Sequence, residues 1–273
     1  MSSTHTPFLV YVDSSNRLKG SHSHSNFKYL INFPKDKIFS HAVVINALIP
    51  KAWYLVDYPY NTFKLQEDNK SVEIVVAPGN YNISQFKHTV TNLLTNASPN
   101  NLQYVLTYPK NSMNPDLGKW IFSQSNSQIG SSFIFTDCLY EQFGFDPNTQ
   151  NFFDGSSLLS NNCVKFQSED RVLIRSDIIN NNSDNDIFVS INASAYSNFS
   201  TISYLNPHPS MNNHVLQSQN NSVYSFQITD EKSRLLSTGG LNVNFTIAFY
   251  FKDQIYDNIR SFLKVLLNGK NII

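Results

Sequence analysis

The chain has 273 residues, with 20 Lys and Arg against 20 Asp and Glu, 15% charged, 41% hydrophobic and 14% aromatic residues, and two cysteines. That length holds one large domain or two small ones, with a core able to fold unaided. A formal net charge of zero removes the long-range attraction on which nucleic-acid and anionic-membrane binders rely, and no apolar run approaches the ~18 residues of a spanning helix.

Asn and Ser together make up roughly a quarter of the residues, so the low charge reflects an amide- and hydroxyl-rich surface rather than a lipid-facing one. Cys138 and Cys163 form no C-x-x-C pair, which argues against a disulfide framework, zinc or redox chemistry and for a reduced compartment. Met1 to His5 carry no basic region followed by an apolar one, so no secretory signal is expected. The sequons at Asn192 and Asn244 are expected by chance in so Asn- and Ser-rich a chain.

Along the chain, residues 1–26 read as an N-terminal arm, because Gly20 and the stretch His22 to Ser25 are poor core formers. Apolar residues then alternate with polar ones, the pattern of half-buried strands. Such segments are Phe27 to Phe33, Val43 to Ile49, Phe63 to Leu65 and Val72 to Val76. After the turn Pro78-Gly79-Asn80-Tyr81 the period changes: Ile83, Phe86, Val90, Leu93 and Leu94 recur at helical spacing, with Asn82 and Gln85 placed as a capping box. The spacing predicts a helix from Ile83 to Thr95. Three strands follow, Tyr104 to Tyr108, Lys119 to Ser123 and Ser132 to Thr136, and then one helical turn over Leu139 to Phe145, closed by Gly144. Residues 78–157 therefore read as an α+β insertion.

Strands resume at Val164 to Phe166, Val172 to Ile174, Ile187 to Ile191 and Ile202 to Leu205. Tyr224, Phe226 and Ile228, the turn Gly239-Gly240 and the ladder Val243, Phe245, Ile247, Phe249 and Phe251 read as a long hairpin. Ile255, Ile259, Phe262, Leu263, Leu266 and Leu267 form one stripe of a C-terminal helix, stopped at Asn268-Gly269. The fold class expected is mainly β: a single jelly-roll sandwich over residues 27–273, interrupted by the insertion and ending in that helix.

Enzyme signatures are absent: no phosphate-cradling glycine loop, no H-E-x-x-H and no G-x-S-x-G elbow. His22 and His24 share one face of an extended segment but lack a third ligand nearby. The Asn- and Asp-rich run Asp177 to Asp186 lacks the glycine and glutamate of a calcium loop. Cys138 with His88 has no motif to fix it as a nucleophile and base, and Glu67, Asp68 and Glu73 lie in a turn and its flanking strand rather than as a hydrolase's acid pair. No catalytic residue, metal or cofactor is expected. The aromatic residues Trp53, Tyr54, Tyr58, Tyr60 and Trp120 are the candidate binding or assembly surface, because such side chains anchor protein interfaces and stack on sugars.

The order of several segments is more specific than any one of them. Val12-Asp13-Ser14-Ser15-Asn16-Arg17 is followed by Ile49-Pro50-Lys51-Ala52-Trp53-Tyr54, Asn61-Thr62-Phe63, Pro78-Gly79-Asn80-Tyr81, Glu141-Gln142-Phe143-Gly144-Phe145 and Leu173 to Ile178. This set, over about Val12 to Ile179, resembles the penton, or minor capsid, proteins of virophages, Polinton-type elements and related large DNA viruses. One departure is that Lys51-Ala52 stands where the family is expected to carry Asn-Ser. The resemblance implies a single jelly roll that forms homopentamers at the fivefold vertices of an icosahedral virion. It also implies a double-jelly-roll major capsid protein as partner, assembly in the host cytoplasm and a host-surface contact, with no direct nucleic-acid binding and no catalytic residues. The alternative reading from the residues is a jelly-roll module that binds glycans or a receptor through its aromatics.

Overall fold

The computed structural model describes residues 7–108, 116–136, 138–167, 170–179, 186–209, 213–217, 219 and 221–251. The chain divides into two compact units, one formed by Met1–Ala52 with Glu169–Ile273 and the other by Trp53–Ser168.

The first unit opens with β1 (Phe8–Asp13), a single 3-10 turn (Ser14–Asn16), β2 (Asn26–Leu30) and β3 (His41–Pro50). The inserted unit holds β4 (Thr62–Glu67), β5 (Lys70–Val75), α1 (Ile83–Ala97), β6 (Tyr104–Thr107), β7 (Ile121–Gln124), β8 (Ser131–Phe135), α2 (Tyr140–Phe143), β9 (Thr149–Phe152) and β10 (Ser157–Leu159). The first unit then resumes with β11 (Arg171–Ser176), β12 (Ile187–Asn192), β13 (Thr201–Leu205), the short β14 (His214–Val215), β15 (Val223–Thr229) and β16 (Asn244–Tyr250).

The first unit is two antiparallel sheets, ordered β1-β16-β3-β13 and β12-β11-β15-β2, with β14 added to β3. Four of their pairings are nested. The strand β1 pairs β16, β2 pairs β15, β3 pairs β13 and β11 pairs β12, all antiparallel. A long ribbon folded over in this way is the eight-stranded jelly roll. Apolar residues at alternate positions fill the space between the sheets: Val12, Val44, Ile49, Phe245, Ile247 and Phe249 from one, and Phe27, Ile174, Phe226 and Ile228 from the other. Phe226 meets Phe245 edge-on at 5.1 Å, and Phe33 meets Phe249 at 4.9 Å.

In the inserted unit, the sheets β5-β4-β8-β9 and β10-β7-β6 and the helix α1 enclose a second core. Its centre is aromatic: Phe143 lies within 4.6 Å of Phe63, 4.9 Å of Phe135 and 5.2 Å of Phe86, ring centre to ring centre. The helix α1 starts where the sequence places it. Asn82 accepts the Gln85 N–H at 2.8 Å and Gln85 accepts the Asn82 N–H at 3.1 Å, while Phe86, Val90 and Leu94 turn inward. Gly144 closes α2 at φ 74°, and a Cβ there would stand 2.5 Å from the Asn162 carbonyl oxygen; only glycine meets both conditions.

Four expectations change. The insertion is longer than residues 78–157, because the β4–β5 hairpin pairs with β8 of its own unit and not with a jelly-roll strand. Residues 8–13 of the expected arm are a strand, in which Phe8, Val10 and Val12 alternate with outward Leu9 and Tyr11. The strands β15 and β16 are not a hairpin: β15 pairs β11 and β2 while β16 pairs β1 and β3, so Gly239-Gly240 carries the chain from one sheet to the other. Val164 to Phe166 is irregular, held by Val164 N–H on the Gly118 carbonyl at 2.7 Å. The helix expected over Ile255 to Leu267 and the run Asn180 to Asn182 with Asp184 lie outside the described residues.

Candidate assembly surface

The five aromatic residues separate by burial. Trp120 is 0% exposed and Trp53 is 3% exposed, so neither presents a face to a ligand, against the sequence expectation. Trp120 belongs to the inserted unit's core, where its Nε1–H donates to the Gln142 carbonyl at 2.8 Å. Tyr60 packs partly buried against the same core. Tyr54 is 41% and Tyr58 79% exposed, and these two are the surface aromatics of the set.

The ordered segments are structural joints. Ser14 ties the end of β1 to the start of β16: its N–H donates to the Val243 carbonyl at 2.9 Å, and its Oγ accepts the Val243 N–H at 2.8 Å. The Ser14 proton is then left for Nδ1 of a neutral His24, 3.0 Å away, while Arg17 Nη1 donates to the Ser14 carbonyl at 3.1 Å and lies 3.1 Å from His24 Nε2. Burial lowers the His24 pKa, the Arg17 cation lowers it further, and Asp13 opposes both. A depressed pKa means the unfolded chain binds the proton better. This contribution to stability is therefore complete above the unfolded value of about 6.5 and is lost as pH falls through the folded one. Urea unfolding at pH 7.5 and pH 5 is expected to show a loss at the lower pH that shrinks in His24→Asn; an unchanged loss in that variant refutes the assignment.

Lys51, the departure from the family pattern, is buried, and its Nζ donates to the carbonyls of Ala193 at 3.0 Å and Tyr196 at 2.6 Å. Its backbone holds the same loop, with Lys51 N–H on the Ser200 carbonyl and Phe199 N–H on the Lys51 carbonyl. Burial pushes the ammonium pKa down, and Asp170 opposes it. Lys51→Met removes the ammonium donor from the Tyr196 carbonyl, leaves the Ala193 carbonyl with only the Tyr196 N–H at 3.2 Å, and is expected to cost about 1–3 kcal/mol in denaturant unfolding.

Farther along, Asn80 Oδ1 accepts the Leu55 N–H at 2.9 Å, which fixes the Pro78 to Tyr81 turn. In β11, Arg175 pairs with Asp186 and donates to Thr229 Oγ1 at 3.1 Å and Ser233 Oγ at 2.9 Å. This paired arginine lines a polar cavity of about 390 Å³ with Asp177, Asp186, Gln217, Ser225 and Gln227, where the cation is already neutralised. Cys138 is buried and Cys163 exposed, neither in a disulfide, and His88 stands exposed on α1 beside Asn92. Glu67 is buried and Glu73 exposed, so they form no acid pair. Among the described residues, no group of three or more His, Cys, Asp or Glu could hold a metal ion, and no helix is long and apolar enough to cross a membrane.

The jelly roll's outer strands differ in how their backbones are satisfied, which sequence reasoning missed because pairing partners are not encoded locally. The outward face of β2 is closed: Lys28 accepts from Leu18 N–H at 2.8 Å and donates to Ser21 Oγ at 3.0 Å, and the Asn26 carbonyl accepts Ser23 N–H. The imidazole of His214 packs edge-on against the ring of Phe188 in β12, at 5.7 Å between centres. In β1 and β13 the outward groups are those of Leu9 and Tyr11, and of Thr201, Ser203 and Leu205, because the alternate residues face β16 and β3. Tyr29 OH donates to the Tyr11 carbonyl at 3.1 Å and Tyr196 OH to the Ser203 carbonyl at 2.6 Å.

The class these features define is a mainly β, antiparallel jelly roll with an α+β unit inserted between its third and fourth strands. No family model and no curated protein matches the chain. Among solved structures it is similar to the mavirus penton protein, at 11% identity and a TM-score of 0.43, over 89% of this chain and 99% of that one. It is also similar to a chain of the Sputnik virophage structure determined by cryo-EM, at 11% identity and a TM-score of 0.37, over 90% and 98% of the two chains.

Proposed function

We infer that this chain is a structural capsid protein that forms homopentamers at the fivefold vertices of an icosahedral virion. The observation that carries the reading is the inserted jelly roll, built on segments that occur in the order of the virophage penton family. Those segments serve as joints: the Ser14 clasp, the Lys51 anchor and the Gly144 turn hold a scaffold and converge on no reaction centre. Net neutrality supports it, because like charges repeated around a fivefold ring repel one another. The neighbour at the vertex is a double-jelly-roll major capsid protein, the ring is assembled in the host cytoplasm, and the outward side of the vertex meets the host surface.

The glycan-binding alternative loses its two tryptophans to the interior. Electron microscopy of the purified chain and of virions that carry it is expected to show five-membered rings and vertex density. A strictly monomeric protein absent from virions overturns the reading.

A further inference from the structure

The sheet β1-β16-β3-β13 ends in two strands of opposite direction. The strand β1 is antiparallel to β16, β16 to β3, and β3 to β13, so β1 and β13 run antiparallel. A rotation about an axis roughly along the strands preserves strand direction. A second copy generated that way brings its β1 antiparallel to the β13 of the first, and the alternation continues across the junction.

Both strands are suited to it. The N–H groups of Leu9, Tyr11, Thr201, Ser203 and Leu205 face away from their own sheet. The two outward carbonyls taken by tyrosine hydroxyls, at Tyr11 and Ser203, each keep a second lone pair. Exposed strand edges of this kind pair with other chains unless they are blocked. No proline, lysine or bulge blocks β13, and its side chains Thr201, Ser203 and Leu205 are all exposed. The β2 edge of the facing sheet is closed by its own turn, which directs the contact to the β1–β13 sheet.

We propose that β13 of one copy receives β1 of the next, with Leu9 opposite Leu205 and Tyr11 opposite Ser203, so that neighbouring jelly rolls share one continuous sheet. This register pairs N–H with C=O at both positions. It also sets the exposed side chains of Tyr11, at 72%, and Leu205, at 75%, on the same outer face, where they shield one another. The contact is head to tail, and head-to-tail contacts close into rings when the rotation allows. It deepens the homopentamer reading and rests on it.

The test is a pair of cysteines, Leu9→Cys and Leu205→Cys, in a Cys163→Ser background that keeps only the buried Cys138. Opposed strand residues fall within disulfide reach, so mild oxidation is expected to give a ladder of covalent multimers that neither single cysteine gives. In parallel, Ser203→Pro removes one outward donor without touching a hydrogen bond of its own sheet. It is expected to weaken association by about tenfold or more, with the unfolding midpoint of the monomer retained as the control for folding. Rings that form without the ladder, and that Ser203→Pro leaves intact, overturn the shared sheet and keep the homopentamer. A chain that stays monomeric at every concentration and gives no ladder overturns both.

Discussion

Trp120→Ala is expected to lower the unfolding free energy by about 3–5 kcal/mol, read from urea denaturation of the whole chain. The indole is wholly buried and meets three rings, Tyr108 at 5.2 Å, Phe166 at 6.0 Å and Phe86 at 6.3 Å between centres. Truncation leaves a cavity among rigid aromatics that cannot collapse into it, and it orphans the Gln142 carbonyl that accepts Nε1–H. Trp120→Phe keeps most of the volume and isolates the second contribution, about 1–2 kcal/mol. Tyr58→Ala is the contrast: at 79% exposure it is expected to stay within about 0.5 kcal/mol of the parent. If Trp120→Ala proved equally neutral, the aromatic core of the inserted unit would be wrongly assigned.

The second large effect is expected at Glu67, a carboxylate buried inside the same unit. Its Oε1 accepts from Ser98 Oγ at 2.7 Å and Tyr104 OH at 2.9 Å, and its Oε2 accepts from Asn100 N–H at 2.8 Å. Ser98 in turn accepts the Leu102 N–H at 2.7 Å, so one carboxylate ties the end of α1, the loop after it and the start of β6 to the last residue of β4. Burial raises the Tyr104 phenol pKa, the Ser131 hydroxyl opposes this, and Glu67 adds to it. Tyr104 therefore stays a donor throughout the ordinary pH range. Glu67→Leu leaves the buried Ser98 Oγ–H and the half-buried Asn100 N–H without this acceptor, and Tyr104 OH with only Ser131 Oγ at 3.2 Å; it is expected to cost about 3–5 kcal/mol. Glu67→Gln keeps one good acceptor oxygen and is expected to fall about midway. An equal, small effect of both substitutions, below about 0.5 kcal/mol, refutes the carboxylate's role as a junction.

Elements defined by local chemistry were legible in the sequence. The Asn82 and Gln85 side chains specify the start of α1 through neighbouring N–H groups alone, and Gly144 marks a left-handed position within one turn. Alternation located β3, β11, β12, β13, β15 and β16 for the same reason, since it reports which side of a strand is buried. It does not report the partner. Gly239-Gly240 therefore read as a hairpin turn, although Phe226 and Phe245 meet edge-on across the core rather than side by side in one sheet. The strand β1 escaped notice because six residues beside a Ser-rich stretch gain their order only from β16, at the far end of the chain. Aromatic side chains pose the same difficulty at the surface. Trp120 and Tyr58 look alike as letters, and only the packing of Phe86, Tyr108 and Phe166 separates an interior anchor from an exposed one.

The nesting of the four strand pairs also sets an order of events during synthesis. The strand β1 leaves the ribosome first, yet its partner β16 is among the last strands made, and β2 and β3 wait in the same way for β15 and β13. Contacts so distant along the chain are slow to form, because loop closure must precede them. The inserted unit is contiguous, Trp53–Ser168, and draws every strand pairing from within itself. It is expected to be complete while five of the jelly roll's eight strands are still unmade. Pulse proteolysis of stalled nascent chains would show it as a protected fragment that appears before any protection of β1. The early strands β1 to β3 spend that interval exposed, and surroundings rich in Asn and Ser rather than in apolar side chains lower the tendency of such unpaired strands to aggregate.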